Sequence, residues 1–246
     1  MKTKISILAT IGLLSLPCVA ARTEATTGTN RFQPLVINQT TDVEFPPAML
    51  AQGYLKGRVT MLITVDASGK LTDSLALSYT QPYFAHAVQA ALHAWTFEPA
   101  RMNGEPVGVT KEVEFNFEQG GYVVVSQNVS QFADTLLRQF TPEELVYRAY
   151  SIKEIDGKLR AIRDGLPSYT KGLAAKGVSG TVTLAYYVDE KGMVRMPIVL
   201  NDADPELANL AVDAVKQWQF EPPTRNGKPV LVSVRQDILF KPPNRS

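Results

Sequence analysis

Cysteine is all but missing: Cys18 is the only one in 246 residues. A chain with one thiol forms no internal disulfide and no thiolate cluster for zinc, so apolar packing has to hold its domains together. Histidine is nearly as scarce. His86 and His93 lie off the apolar stripe of their helix, without a cysteine or carboxylate partner for a metal, and read as solvent-facing. An excess of one charge is lacking too. Lys and Arg number 25 against 24 Asp and Glu, a formal charge of +1, which gives no electrostatic case for binding nucleic acid or an anionic membrane surface. No glycine-rich phosphate loop, catalytic-triad spacing or zinc motif occurs. No catalytic, metal or cofactor residue is therefore assigned, and neither an enzyme nor a small-molecule substrate is expected.

Long apolar runs are confined to one place. Lys2 and Lys4 precede Ile5–Leu16, Pro17 breaks the run, and Val19-Ala20-Ala21 supplies small residues. This is the pattern of a secretory signal cleaved after residue 21, placing the chain in the periplasm or outside the cell. Retention of 5–21 as an inner-membrane anchor is the competing reading, although the run falls short of the ~20 apolar residues of a span.

What the sequence does contain is a repeat. Trp95-Thr96-Phe97-Glu98-Pro99 with Asn103-Gly104-Glu105-Pro106-Val107 returns as Trp218-Gln219-Phe220-Glu221-Pro222 with Asn226-Gly227-Lys228-Pro229-Val230, 123 residues on and without a gap. A fixed displacement of this kind means one supersecondary unit used twice. In the first copy Val59, Met61, Ile63 and Val65 alternate as a half-buried strand should. Asp66–Gly69 makes a turn and Leu71–Leu77 returns. Phe84, Ala87, Val88, Ala91, Leu92 and Trp95 then form one helical stripe entered through Pro82. Val107, Val109, Val113, Phe115 and Phe117 close the unit as a third strand. The second copy repeats this from Val182 to Phe240, with its helix entered at Pro205. The fold class is α+β: two tandem β-β-α-β units, each a helix packed on a small antiparallel sheet.

The expected division is a signal at 1–21, a leader at 22–44, one unit at 45–117, a connector at 118–166 and a second unit at 167–246. The connector reads as mainly helical, from Phe132, Leu136 and Leu137 and from the capping box Thr141-Pro142-Glu143-Glu144. Before them, Glu118-Gln119-Gly120-Gly121 would let Tyr122–Val125 fold back onto the third strand of the first copy. Trp95, Phe97, Pro99 and Gly104, with Trp218, Phe220, Pro222 and Gly227, are the structural residues. The tryptophans are the last and largest contacts of the helical stripes. Asp66 and Asp189 read as turn formers, and Glu98 and Glu221 as acceptors of backbone hydrogen bonds at a corner.

Gly57-Arg58-Val59, Val65-Asp66-Ala67-Ser68-Gly69 and the Trp–Pro and Asn–Val stretches above, occurring twice in the same order, resemble the C-terminal domain of the energy transducer TonB. The resemblance covers about 45–117 and 167–240. It implies a protein partner, an outer-membrane transporter or a periplasmic peptide of one, that adds a strand to the third strand of the domain. The pairing segments would be Val107–Phe117 and Val230–Phe240. The second is the one expected to stay open, through Val230, Val232, Val234, Gln236, Ile238 and Phe240, because Lys241-Pro242-Pro243 cannot fold back. Three functions follow. The first is an exported module that binds extended peptides by strand addition and serves outer-membrane transport. The second is a transducer anchored through residues 5–21. The third is a structural pseudo-dimer of the two copies.

Overall fold

In the computed structural model the described residues are 31–118, 122–126, 145–167 and 169–241. The first strands, β1 (Phe32–Gln33) and β2 (Val36–Gln39), stand on either side of Pro34, which has no N–H to give to a ladder. Next comes α1 (Pro47–Ala51), which closes ahead of Gly53, a residue at φ +80°. The body of the first copy is β3 (Lys56–Val65), β4 (Leu71–Tyr79), α2 (Pro82–Leu92), β5 (Thr96–Glu98), β6 (Ala100–Met102), β7 (Glu105–Val107) and β8 (Val109–Glu118). Between the copies lie β9 (Tyr122–Ser126), β10 (Tyr147–Arg148), β11 (Tyr150–Ser151) and β12 (Ala161–Arg163). The second copy runs α3 (Lys171–Lys176), β13 (Gly180–Val188), β14 (Val194–Val199), α4 (Pro205–Val215), β15 (Gln219–Phe220), β16 (Thr224–Arg225), β17 (Lys228–Pro229) and β18 (Val232–Phe240).

Each copy has the expected plan. In the first, β3 is central, antiparallel to β4 on one side and to β8 on the other. Val59, Met61, Ile63 and Val65 point at α2, where Phe84, Val88 and Leu92 meet them, and Val113, Phe115 and Phe117 complete that core. In the second, β13 lies between β14 and β18. Val182, Leu184, Tyr186 and Val188 pack on Leu207, Ala211 and Val215 of α4 and on Val232, Val234, Ile238 and Phe240 of β18. The helices open differently. Asp204 caps α4 by accepting from the N–H groups of Glu206 and Leu207, whereas Gln81 caps α2 with no side-chain bond.

Trp95 and Trp218 are buried, but not on the helices. Both helices end three residues earlier, and the tryptophans sit in the following turn, where Trp95 N–H donates to Leu92 O and Trp218 N–H to Val215 O. Each indole N–H reaches a carbonyl upstream of its own copy: Thr41 O at 3.1 Å for Trp95 and Gly165 O at 2.9 Å for Trp218. A buried indole keeps its one donor satisfied in this way. The repeat therefore begins earlier than the alternation of β3 and β13 reveals. β2 pairs with β5, and its counterpart β12 pairs with β15.

In the connector, Tyr122–Ser126 is the strand expected of it, whereas 145–167 hold strands and no helix in a segment expected to be mainly helical. Open sheet edges beside these segments offer backbone partners that an isolated short helix would lack. The helices expected at Phe132–Leu137 and Thr141–Glu144 lie outside the described residues.

The two copies meet through the sheet faces turned away from their helices. Leu62, Leu75 and Leu77 of the first copy pack against Met196 and Leu231 of the second, flanked by Tyr147, Ala149 and Tyr187. To reach this face Met196 takes φ +50°, a left-handed conformation uncommon for a side chain of its size, at a break in the β13–β14 register. Beside the cluster the Arg195 guanidinium bonds the Asp73 carboxylate at 2.6 Å, one copy to the other.

Candidate functional site

Alternation buries one face of each third strand and leaves the strand's outer backbone edge as the feature able to meet a partner. The two copies treat that edge differently. On β8 it is taken over half its length: β9 pairs antiparallel with it, from Glu118 opposite Tyr122 to Glu114 opposite Ser126. This is the fold-back expected of Tyr122–Val125. The other edge of that sheet is also met, because β10 pairs with the end of β4, Tyr147 opposite Tyr79 and Arg148 opposite Ser78.

On β18 the outer edge has one short neighbour among the described residues. β11 runs parallel to it with Tyr150 opposite Val232 and Ser151 opposite Ser233. Past that point the chain turns away, with Glu154 N–H donating to Ser151 O. From Val234 to Phe240 the edge carries no ladder partner among the described residues.

Of the six residues proposed from sequence, Val230 and Val232 are thus already engaged. Val230 N–H donates to Pro223 O, and Val232 stands beside Tyr150. Val234, Ile238 and Phe240 lie on the open stretch with their side chains buried in the core. Gln236 is exposed, its amide oxygen accepting from the Tyr186 hydroxyl at 2.8 Å. Burial pushes the Tyr186 phenol up to about 12, so it stays a donor throughout the physiological range. The backbone N–H and C=O groups of these four residues face β13, because successive residues of a strand bond to opposite sides and Leu231 O already faces outward to Tyr150. The backbone open to a partner is that of Arg235, Asp237 and Leu239. Their side chains, like that of Ser233, are exposed.

Residues 147–151 form a strap between the copies, antiparallel on β4 and then parallel on β18. Ala149 N–H donates to Leu77 O and Tyr150 N–H to Leu231 O, so consecutive residues hold opposite copies. The Tyr147 ring stacks on Tyr79 at 4.6 Å, and its hydroxyl donates to the Glu190 carboxylate in the turn of the second copy. Burial and that carboxylate hold the Tyr147 phenol far above its ordinary range. At the far end the Tyr150 ring lies between two guanidinium groups, Arg148 at 4.0 Å and Arg225 at 4.8 Å. Glu154 ties both, bonding Arg148 at 2.6 Å by its carboxylate and Arg225 by its backbone oxygen at 2.8 Å. The Arg148 bond, with the Ser151 N–H, lowers the Glu154 carboxyl to about 2.

The residues singled out as structural fall at the corners of the two cores. Phe97 and Phe220 are buried, Pro99 is half-buried and Pro222 is exposed. Asn103-Gly104 and Asn226-Gly227 have positive φ at both residues, the two-residue hairpin turn that joins β6 to β7 and β16 to β17. Asp66 and Asp189 form turns, each accepting two backbone N–H bonds through Oδ1. Glu98 and Glu221 do not fill the role expected of them. Both are exposed, and Glu221 has an ion-pair contact with Arg160 at 4.0 Å in place of a backbone bond. His86 and His93 are exposed on and just past α2. Arg225 holds the end of the strap through Tyr150 and Glu154, while Arg235 stands on the open edge.

The sequence reading missed the strap, and it offered a contact between the copies only as the pseudo-dimer, without the residues that make it. A signal was present for the second: in Val-Thr-Met-Leu-Ile-Thr-Val, Leu62 breaks the alternation, and an apolar residue on the off face marks a strand covered on both sides.

Among the described residues no helix is long and apolar enough to cross a membrane. In comparisons with known proteins, 29% of residues are identical over 76 aligned with Protein TonB of Vibrio cholerae, a match spanning 30% of this chain and 31% of that protein. A solution NMR structure of the Pseudomonas aeruginosa TonB CTD aligns at 23% identity over 39% of this chain and 97% of that one, with a TM-score of 0.32. The family model for the Gram-negative bacterial TonB protein C-terminal matches twice, at residues 41–119 and 166–242. The chain belongs to that family and carries its domain in two copies.

Proposed function

We propose that this chain is an interaction module of the bacterial envelope that takes up an extended peptide by strand addition on β18, in the service of outer-membrane transport. The observation that carries the reading is the difference between equivalent edges: β8 is paired with β9 along Glu114–Glu118, and β18 has no ladder partner from Val234 to Phe240 among the described residues. Backbone hydrogen bonds along the open stretch would supply affinity, and Arg235, Asp237 and Leu239 would select the partner's side chains. The first copy then serves as a mount. Its edges are paired at Ser78–Tyr79 and along Glu114–Glu118, and its outer face fixes the second copy through the Leu62–Leu231 cluster. Family membership supports a protein partner, and the outer-membrane transporter or its periplasmic peptide is the partner we assign.

The test starts from peptides selected from a library against the full chain, with binding followed by fluorescence anisotropy. Arg235→Pro, which removes an N–H facing away from β13, abolishes binding, and Thr110→Pro, which removes one facing away from β3, leaves it, each variant being checked for fold by circular dichroism. A peptide N-methylated at alternate residues loses affinity for the unaltered protein, since strand addition needs its N–H groups. Binding that survives N-methylation, or that follows Thr110 and not Arg235, refutes the assignment.

A further inference from the structure

An open strand edge is also a template for a second copy of the same strand. Two β18 strands related by a two-fold axis perpendicular to the sheet would pair antiparallel, and facing residues must then have the same parity. Centring the axis on Gln236 sets Arg235 of each chain opposite Asp237 of the other, two attractive pairs on the exposed face. That register is the self-complementary one. It runs Leu239 and Phe240 of one chain past Ser233 and Val232 of the second copy. Those positions already have a neighbour, because Ser151 and Tyr150 lie against Ser233 and Val232. The strap of the second copy would occupy the space that Leu239 and Phe240 need.

Moving the axis one step of two, onto Asp237, clears the strap and uses the stretch from Val234 to Phe240, but sets one Asp237 carboxylate directly against the other. Like charges directly opposite destabilise a pair. Further steps shorten the pairing to five residues or fewer, counted from Gln236 to Phe240. We infer that Tyr150 and Ser151 hold the chain monomeric by denying β18 the one register in which it pairs well with itself. The inference uses the same edge as the proposed function but needs no peptide, so either can fail alone.

The experiment is sedimentation equilibrium of the full chain. The unaltered chain is a monomer. Tyr150→Pro removes the N–H that bonds Leu231 O and both cation–π contacts, frees the edge and gives a dimer; Tyr150→Gly, which keeps the N–H, is the second route to the same loosening. In the loosened background Asp237→Arg places an arginine opposite Arg235, and Arg235→Asp places a carboxylate opposite Asp237. Either change weakens the dimer about 10- to 100-fold. Mixing those two variants restores opposite charges in both pairs, and the dimer returns. An unaltered chain that dimerises, loosened variants that stay folded and monomeric, or a dimer indifferent to the charge changes would each overturn the inference. If both Tyr150 variants unfold, the strap is a structural element and not a stop, and the inference falls.

Discussion

Leu231 is fully buried in the cluster that joins the copies, against Leu62, Leu75 and Leu77 of the first copy and Met196 of the second. Leu231→Ala deletes most of that side chain where the surrounding sheets cannot close in. Changes of this kind cost about 2–5 kcal/mol. With a urea dependence of about 2 kcal/mol per molar, the midpoint falls by about 1–2.5 M. Each copy holds one tryptophan, so the two can be read separately: Trp218→Phe leaves Trp95 reporting on the first copy, and Trp95→Phe leaves Trp218 for the second. Urea unfolding followed by indole fluorescence should show Leu231→Ala lowering the midpoint seen by Trp95, although Leu231 belongs to the other copy. Leu239→Ala is the control, the same residue type at 60% exposure on β18, expected to stay within about 0.5 kcal/mol. A Trp95 midpoint untouched by Leu231→Ala would show that the copies fold independently and that the first copy is no mount for the second.

Two further predictions concern the turn glycines and a carboxyl between the copies. A Cβ on Gly192, at φ +79°, would stand 1.9 Å from Phe220 O, whereas Gly227, at φ +72°, faces open space. Gly227→Ala should therefore lose only the ~1–2 kcal/mol of the left-handed conformation, and Gly192→Ala at least about 1 kcal/mol more as the Phe220 N–H bond to Gly192 O is displaced; equal losses in urea unfolding refute this. Glu112, across from Leu62 on β8 and near Tyr187, is held above the usual carboxyl range, first by burial and then by Glu114. Its ionised form costs stability at pH values above its folded pKa and nothing once it is protonated in both states. Glu112→Gln is expected to raise the thermal midpoint at pH 7, with the advantage closing as pH falls through the ordinary glutamate range near 4.5; an advantage independent of pH would assign the effect to something other than charge.

What the sequence made legible is whatever a copy does for itself. Alternation in Val59–Val65 and Val182–Val188 fixes which face is buried, because the period of two leaves one face to the helix. The positive φ of Asn103-Gly104 and of Asn226-Gly227 follows from residue types that tolerate it. The ends of the units were less legible. Trp95 and Trp218 fit the helical stripe by spacing, yet a turn past Leu92 and Val215 brings each indole back onto the same core. The carbonyls that receive the indole N–H groups, Thr41 O and Gly165 O, follow β2 and β12, strands of four and three residues, too short for periodicity to register.

What duplication changes is the outer face of each sheet, and there the two copies had to diverge. A lone unit can leave that face to water, but a tandem pair can bury both faces against each other, and Leu62, Leu75, Leu77, Met196 and Leu231 do so. Burying the faces leaves the edges as the remaining unsatisfied backbone. One edge of each sheet takes part of the connector: β10 meets only the end of β4, and β11 only the start of β18. With β9 on β8, the first copy has no third-strand edge to offer along Glu114–Glu118, while the second keeps Val234–Phe240. Two equivalent units sharing one continuous connector cannot both be closed by the same few residues. The asymmetry between a mounted copy and a presenting copy therefore follows from the tandem arrangement as much as from any difference between β8 and β18.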